Sequence, residues 1–177
     1  TVQGLKVMAG RGNIGLAALA DSAGIDQVPG AYHAGYMLGP RVNAGGRVGE
    51  SSLGIRLLTT SDGDAAQAIA AHLGELNKER QAIEADVLDA ALAQIEAREE
   101  PPAPVLIAAG VGWHAGVVGI VASRLKERYA RPAIVVAIVD RQGKASCRSI
   151  AGVDIGAAVA AARQADLLIN GGGHAMA

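Results

Sequence analysis

The run VLIAAGVGWHAGVVGIVASRLKERYARPAIVVAIV, residues 105–139, decides the fold class. Val105 to Ala109 is a short, unbroken apolar stretch and reads as a buried strand. After Trp113 and His114, the segment from Ala115 to Tyr129 sets Val118, Ala122 and Leu125 on one helical face. Pro132 to Val139 then returns to β-branched text. Strand, helix and strand in succession are the signature of an α/β unit. Further on, Lys144 to Ile150 reads as a more polar strand, Ile155 to Ala165 as a helix and Leu167 to Ile169 as a last short strand. The second half of the chain is therefore expected to be a small α/β domain with a mixed sheet.

The text upstream is different. Ser61 and Asp62 offer N-cap oxygens, and from Asp64 to about Arg98 no proline interrupts a stripe through Ile69, Leu73, Leu76, Ile83 and Val87. One helix of roughly 50 Å is expected, longer than a small domain needs and suited to a connector. Glu99, Glu100, Pro101, Pro102 and Pro104 should end it. Nearer the start, Ile14 to Ala23 reads as a short helix packed on something missing from the chain, and Pro29 and Gly30 break it. The stretch from Tyr36 to Ser52 is dense in glycine around Pro40, and is expected to be a loop carrying Arg41, Asn43 and Arg47 as polar fingers.

Composition narrows the function classes. Half of the 177 residues are apolar, enough for a real core, and the net charge of −1 gives no global pull toward nucleic acid. No run of about 18 apolar residues is present to span a bilayer, and Thr1 to Gly12 lacks the order of a signal peptide. A cytoplasmic protein with no membrane partner is expected. Cys147, the one cysteine, excludes an internal disulfide and fits a reducing compartment. With Trp113, Tyr32, Tyr36 and Tyr129 as its only aromatics, the chain is not expected to build a broad base-stacking platform, so contacts to a nucleic-acid backbone should dominate. Starting at Thr1 and stopping just after a glycine-rich turn, it reads as a fragment.

Several residues are candidates for anion chemistry. Lys144, Ser146 and Arg148 alternate along one strand, so all three project from one face. A guanidinium, an ammonium and a hydroxyl together match a phosphate. The alternative is an edge strand whose polar side faces water. Gly171, Gly172 and Gly173 with His174 could bring backbone N–H groups up to a phosphate, or form a flexible turn. No Lys-Ser or Lys-Thr follows, so this is not a P-loop. His114 could meet a phosphate at the helix start, the alternative being a capping histidine with Trp113 as a core plug. Asp62 and Asp64 read as helix caps and not as metal ligands. His33, His72, His114 and His174 are scattered, which leaves no self-contained divalent-metal site and no catalytic residue to name. Arg80 and Glu84 read as an intrahelical pair. Arg124, Lys126, Arg128 and Arg131 are explained by the helix dipole and solvation.

Four segments taken together resemble the RecJ family of exonucleases, within the DHH phosphoesterase superfamily. They are Leu38-Gly-Pro-Arg-Val-Asn-Ala-Gly-Gly-Arg47, Trp113-His-Ala-Gly-Val-Val-Gly-Ile-Val-Ala-Ser-Arg-Leu125, Gly143-Lys-Ala-Ser-Cys-Arg-Ser-Ile150 and Gly171-Gly-Gly-His-Ala-Met-Ala177. Their order and spacing match across nearly the whole chain, joined by a helix carrying Asn77, Glu79 and Arg80. Gly45-Gly46 stands where the family more often has Ala-Gly.

The resemblance implies a division into the tail of a catalytic α/β domain (1–61), a long connector helix (62–100) and a DHH-associated substrate-binding domain (101–177) cut short at its end. It implies that Arg41, Asn43 and Arg47 line a cleft, while Ser146, Arg148 and the Gly171 to His174 turn hold a terminal phosphate. It further implies hydrolysis of single-stranded DNA from the 5′ end in repair and recombination, by a parent enzyme that uses Mn or Mg. The motifs that bind those ions are absent here, so the chain alone should have no cofactor and no activity. Its partners would be single-stranded DNA, the missing N-terminal DHH half of the same protein and, as candidates, other DNA-repair proteins. Competing readings are a DHH phosphodiesterase for very short RNAs or cyclic dinucleotides, a nucleic-acid-binding module of a non-nuclease enzyme such as an alanyl-tRNA synthetase, and an α/β domain for protein contacts.

Overall fold

The computed structural model describes residues 2–97 and 103–177. The expected end of the connector at Glu99 to Pro102 lies outside the described residues. Two compact units emerge, Thr1–Ala82 and Ile83–Ala177, and the boundary falls inside one continuous helix. Among the described residues no helix is long and apolar enough to cross a membrane.

The first unit is helical: α1 (Val2–Ala9), α2 (Ile14–Ser22), a π-helical stretch (His33–Leu38) running directly into α3 (Gly39–Val48), α4 (Leu53–Thr59) and the start of α5 (Gly63–Glu96). Asn13 caps α2, its side chain accepting from Leu16 N at 2.8 Å and donating to Leu58 O at 2.9 Å. The partner of α2 is within the chain, contrary to expectation: Leu19 and Ala20 are buried with Leu57 of α4. A Cβ on Gly15 would stand 1.8 Å from Leu57 O, so these two helices approach backbone to backbone. α1 buries no residue.

The stretch from Tyr36 to Ser52 is not a loop. It is helical through Val48, with Pro40 at the junction where the π-helical stretch passes into α3. The glycines serve packing there: a Cβ on Gly45 would lie 2.8 Å from Glu50 O and 3.4 Å from Leu73 Cδ2. Ala44 and Gly45 thus face α5, whose Ala66, Ala70, Leu73 and Leu76 complete this core.

Asp62 caps α5 as expected, Oδ1 accepting from Asp64 N at 2.9 Å and Ala65 N at 3.3 Å. In the second unit its later turns, through Val87 and Ala91, pack on β1 (Leu106–Val111), α6 (Val118–Tyr129), β2 (Ala133–Val139) and the partly buried Trp113. β3 (Gln142–Arg148) and α7 (Ile155–Gln164) follow. The sheet order is β1-β2-β3, with β1 and β2 parallel across α6 and β2 and β3 antiparallel, so the mixed α/β class holds. Asp140 and Arg141 make the hairpin turn with φ of 49° and 65°, the left-handed pair of a two-residue type I′ turn.

The last expected strand does not form. Asp166 takes φ 55° after α7, and Leu167 N donates to Ala162 O at 3.0 Å, so the backbone group a ladder would need closes the helix instead. Leu167 and Ile169 are left 76% and 92% exposed.

The contact at Gly15 has a measurable consequence. Gly15→Ala puts a methyl into a carbonyl, an overpacking expected to cost about 2 kcal/mol or more in urea denaturation. A midpoint equal to that of the parent chain would show that α2 and α4 do not approach as described.

Candidate phosphate-binding site

Pairing with β2 sets the orientation of β3. Arg148, Ser146 and Lys144 lie opposite Ala133, Val135 and Ala137, whose side chains are all buried in the core beneath α5 and α6. Cross-strand partners share a face, so all three polar residues point to the α6 side, as the alternation implies. That side is not a plain solvated edge, since Ser146 and Arg148 are half-buried and only Lys144 is exposed.

Their neighbour is the first turn of α6. A Cβ on Gly119 would stand 3.0 Å from Ser146 Oγ and 3.2 Å from Arg148 Nη2. Arg148 Nη1 donates to Cys147 O at 2.6 Å and to Ser146 Oγ at 3.3 Å, which fixes the guanidinium beside the hydroxyl. The N-cap position of α6 is Val117, and no side chain caps this end. The first N–H groups of a helix have no intrahelical acceptor and carry its positive pole. A guanidinium, a hydroxyl and an uncapped helix start therefore meet at one point. All three favour an anion, and Arg148 forms no ion pair among the described residues. Arg against a helix N-terminus is unfavourable unless an anion joins them.

The remaining candidates are distributed around this point. Gly171, Gly172 and Gly173 face β3 across a cavity of about 520 Å³, which Ser146, Cys147 and Arg148 also border. This turn is packed: His174 N donates to Ala177 O at 2.7 Å, Ile155 N to Ala175 O at 3.1 Å and Ser149 N to Met176 O at 2.9 Å. His174 Nδ1 accepts from Met176 N at 3.2 Å. Lys144 lines a wider depression of about 1080 Å³ that also reaches Gly171 and Gly172. His114 is exposed, with Nδ1 accepting from Gly116 N at 3.0 Å just ahead of α6, while the Trp113 indole lies against Gly110. Trp113 is thus packed beside the core, while His114 closes a turn ahead of the helix without capping it.

Arg41, Asn43 and Arg47 all lie on α3 in the first unit. Asn43 and Arg47, four apart, share an exposed face, whereas Arg41 turns back to donate to Met37 O at 2.7 Å. The helix makes two fingers of the three. Arg124, Lys126, Arg128 and Arg131 need more than the dipole: Arg124 Nε bonds buried Glu84 at 2.5 Å, Arg128 and Tyr129 both reach Glu96, and Arg131 donates to Ala103 O. Arg80 donates to Asn77 Oδ1 at 3.1 Å.

The sequence reading passed over Gly119, although it stands in the Trp113 to Leu125 segment. The available signal was a glycine inside a helical stretch, which marks a close approach. Asp154, the N-cap of α7 through Ala157 N at 2.9 Å, was also legible as an Asp preceding an apolar run.

A family model described as the DHHA1 domain matches residues 103–177. The RecJ single-stranded-DNA-specific exonuclease of Escherichia coli is 38% identical over 188 residues, covering 100% of this chain and 32% of its own length. That of Bacillus subtilis is 39% identical over 145 residues, covering 81% of this chain and 18% of its own. The crystal structure of RecJ with Mg2+ from Thermus thermophilus superposes with a TM-score of 0.81 at 36% identity, over 98% of this chain and 26% of that one. This chain belongs to the RecJ family. It spans between 18% and 32% of the length of the curated RecJ proteins it matches. RecJ has been crystallised with Mg2+ and with Mn2+. Among the described residues of this RecJ chain no three His, Cys, Asp or Glu come together to hold a metal ion. The described residues therefore do not fit such an ion.

Cys147 reports on the site. Burial pushes its thiol above the ordinary value of 9.0, and the adjacent Arg148 charge pulls it partly back. The folded chain thus holds the thiol proton more tightly than the unfolded one, so this group's contribution to stability is complete below the ordinary thiol range and declines as pH rises beyond it. The pH midpoint of Cys147 alkylation should lie above 9.0 and move higher in Arg148→Ala; a fall on that substitution would mean that Arg148 does not face the strand as described.

Proposed function

We propose that this chain supplies the strand-gripping part of a RecJ exonuclease that degrades single-stranded DNA from its 5′ end in repair and recombination. The observation that carries this reading is the meeting of Ser146, Arg148 and the uncapped start of α6 at Gly119. Such a cluster holds a phosphate by a forked guanidinium, a hydroxyl and backbone N–H groups, and fixes the end of a strand.

In this reading residues 101–177 are the DHH-associated domain, 62–100 the connector and 1–61 the tail of the catalytic domain. Lys144 adds charge beside the clamp, and the Gly171 to His174 turn, with His114, borders the path of the strand. Asn43 and Arg47 grip it on the catalytic side, with Arg41 acting through the backbone of Met37. Hydrolysis itself falls to a catalytic half carrying Mg or Mn, and other repair proteins would meet that whole enzyme. By itself the chain is expected to release no nucleotides from single-stranded DNA with either ion, measured by thin-layer separation of labelled products.

The direct test is fluorescence anisotropy of a 5′-phosphorylated single-stranded oligonucleotide. Losing a charged hydrogen-bonding partner is expected to weaken binding by roughly tenfold or more in Arg148→Ala, and higher salt should weaken the parent chain. Gly119→Ala is expected to weaken binding, because its methyl would stand 3.0 Å from Ser146 Oγ and 3.2 Å from Arg148 Nη2 and push the donors off the helix start. Binding that ignores salt, Arg148 and position 119 alike would sink the clamp.

A further inference from the structure

We propose that Tyr32 and Tyr36 form a small stacking platform for the bases of single-stranded DNA, on the same helix face as Asn43 and Arg47. The proposal rests on the strand-binding reading above and adds to it a contact to bases.

The two rings stack on each other, centroids 5.3 Å apart and planes inclined by 26°. They are 66% and 75% exposed. The chain has only three tyrosines and one tryptophan, yet two of the four sit together in water. Bulky aromatics gain most when buried, so a stacked pair left open is the informative kind of exposed surface.

Backbone geometry puts the pair in register. Helical structure is continuous from Ala31 to Val48, and its π-helical part is closed by Gly39 N donating to Ala34 O, five residues back. Such wide turns are rare and tend to mark functional positions. Tyr32 and Tyr36, four apart, lie one turn from each other on this run, close enough for the rings to meet. From Tyr36, Asn43 is two helical turns on and Arg47 one turn further, and all four residues are exposed. Leu38, Ala44 and Gly45 are buried in the core. The result is one stripe with aromatic rings at one end and an amide and a guanidinium at the other. Asn43 lies about 10 Å along the axis from Tyr36. That is about three rises of stacked nucleotides at ~3.4 Å each.

A ring pair followed by donors fits a nucleic-acid strand, since bases of any kind stack on aromatic faces while cations follow the phosphates. His33 does not compete for the role: its Nδ1 accepts from Gly30 N at 2.9 Å, and its Nε2 lies 3.2 Å from Gln27.

The test compares a labelled oligothymidylate with an abasic oligonucleotide of the same length, titrated with the chain, Tyr36→Ala, Tyr36→Phe, the double variant Tyr32→Ala/Tyr36→Ala, and Arg148→Ala. Base stacking predicts that Tyr36→Ala weakens oligothymidylate binding by about five- to hundredfold and that Tyr36→Phe restores it. The abasic strand should bind the chain weakly and be indifferent to Tyr36. If the double variant binds oligothymidylate as the chain does while Arg148→Ala does not, the platform falls and the phosphate clamp stands. Loss in the tyrosine variants with no loss in Arg148→Ala leaves the platform and removes the clamp. If the chain binds neither strand, both fall.

Discussion

The approach of β3 to the first turn of α6 depends on Gly119 having no side chain. A methyl there would stand at 3.0 Å from Ser146 Oγ, displacing the hydroxyl, the guanidinium behind it, or the helix start. The three donors converge only because that volume is empty. The core beneath is made to match: Val117, Val121, Ala122 and Leu125 hold α6 down on Ala133, Val135 and Ala137, small residues that let helix and sheet close up. Packing and anion affinity are thus two aspects of one contact.

The charges on α6 follow the same logic. Near its C-terminal end Arg124 and Arg128 are tied to Glu84 and Glu96 of α5, which fastens the second unit's helices together and occupies those cations. Glu84 is buried, and a carboxylate in that position is tolerable only with a close partner. At the N-terminal end the arrangement is reversed. Arg148 stands against the positive pole, bonded to Ser146 Oγ and Cys147 O and with no carboxylate partner among the described residues, so a net charge of −1 coexists with a strongly positive spot. Global charge was silent because the basic side chains divide into compensated and uncompensated sets, which only three-dimensional placement separates.

What the sequence made legible was whatever period and capping chemistry determine locally. The two parallel strands, α6, the long helix with its Asp62 cap and the shared face of Lys144, Ser146 and Arg148 all follow from spacing. The stretch from Tyr36 to Ser52 was illegible because glycine and proline read as breakers in sequence. In the helical run that includes α3, Pro40 sits at the handover from the π-helical stretch and Gly45 sits where another backbone must come close. The hairpin at Asp140 and Arg141 lacks the usual glycine, so its left-handed turn had no local signal. At Leu167 to Ile169 an apolar triplet looked like a strand, but a strand requires a partner and this one's first N–H is held by α7. Of the site, the donors were visible one by one; the empty volume that assembles them was not.

The scarcity of aromatics shows why composition bounds a function only loosely. Four rings in 177 residues argue against a broad stacking surface, but the count says nothing about where they stand. Were the tyrosines placed for packing, each would be expected at a helix–helix seam, as Tyr129 is beside the second unit's core with its hydroxyl on Glu96. Tyr32 and Tyr36 instead are exposed on a helical run whose Leu38 and Ala44 are buried, and their rings stack on each other. A helix face with a hydrophobic end and a hydrogen-bonding end is graded along its axis. A nucleic-acid strand, with apolar base faces along one edge and phosphates along the other, is graded across its own. To satisfy both gradients a strand must cross the stripe obliquely, with a base over the rings as its backbone swings toward Asn43 and Arg47. A helix surface offering rings alone or charges alone would impose no such direction.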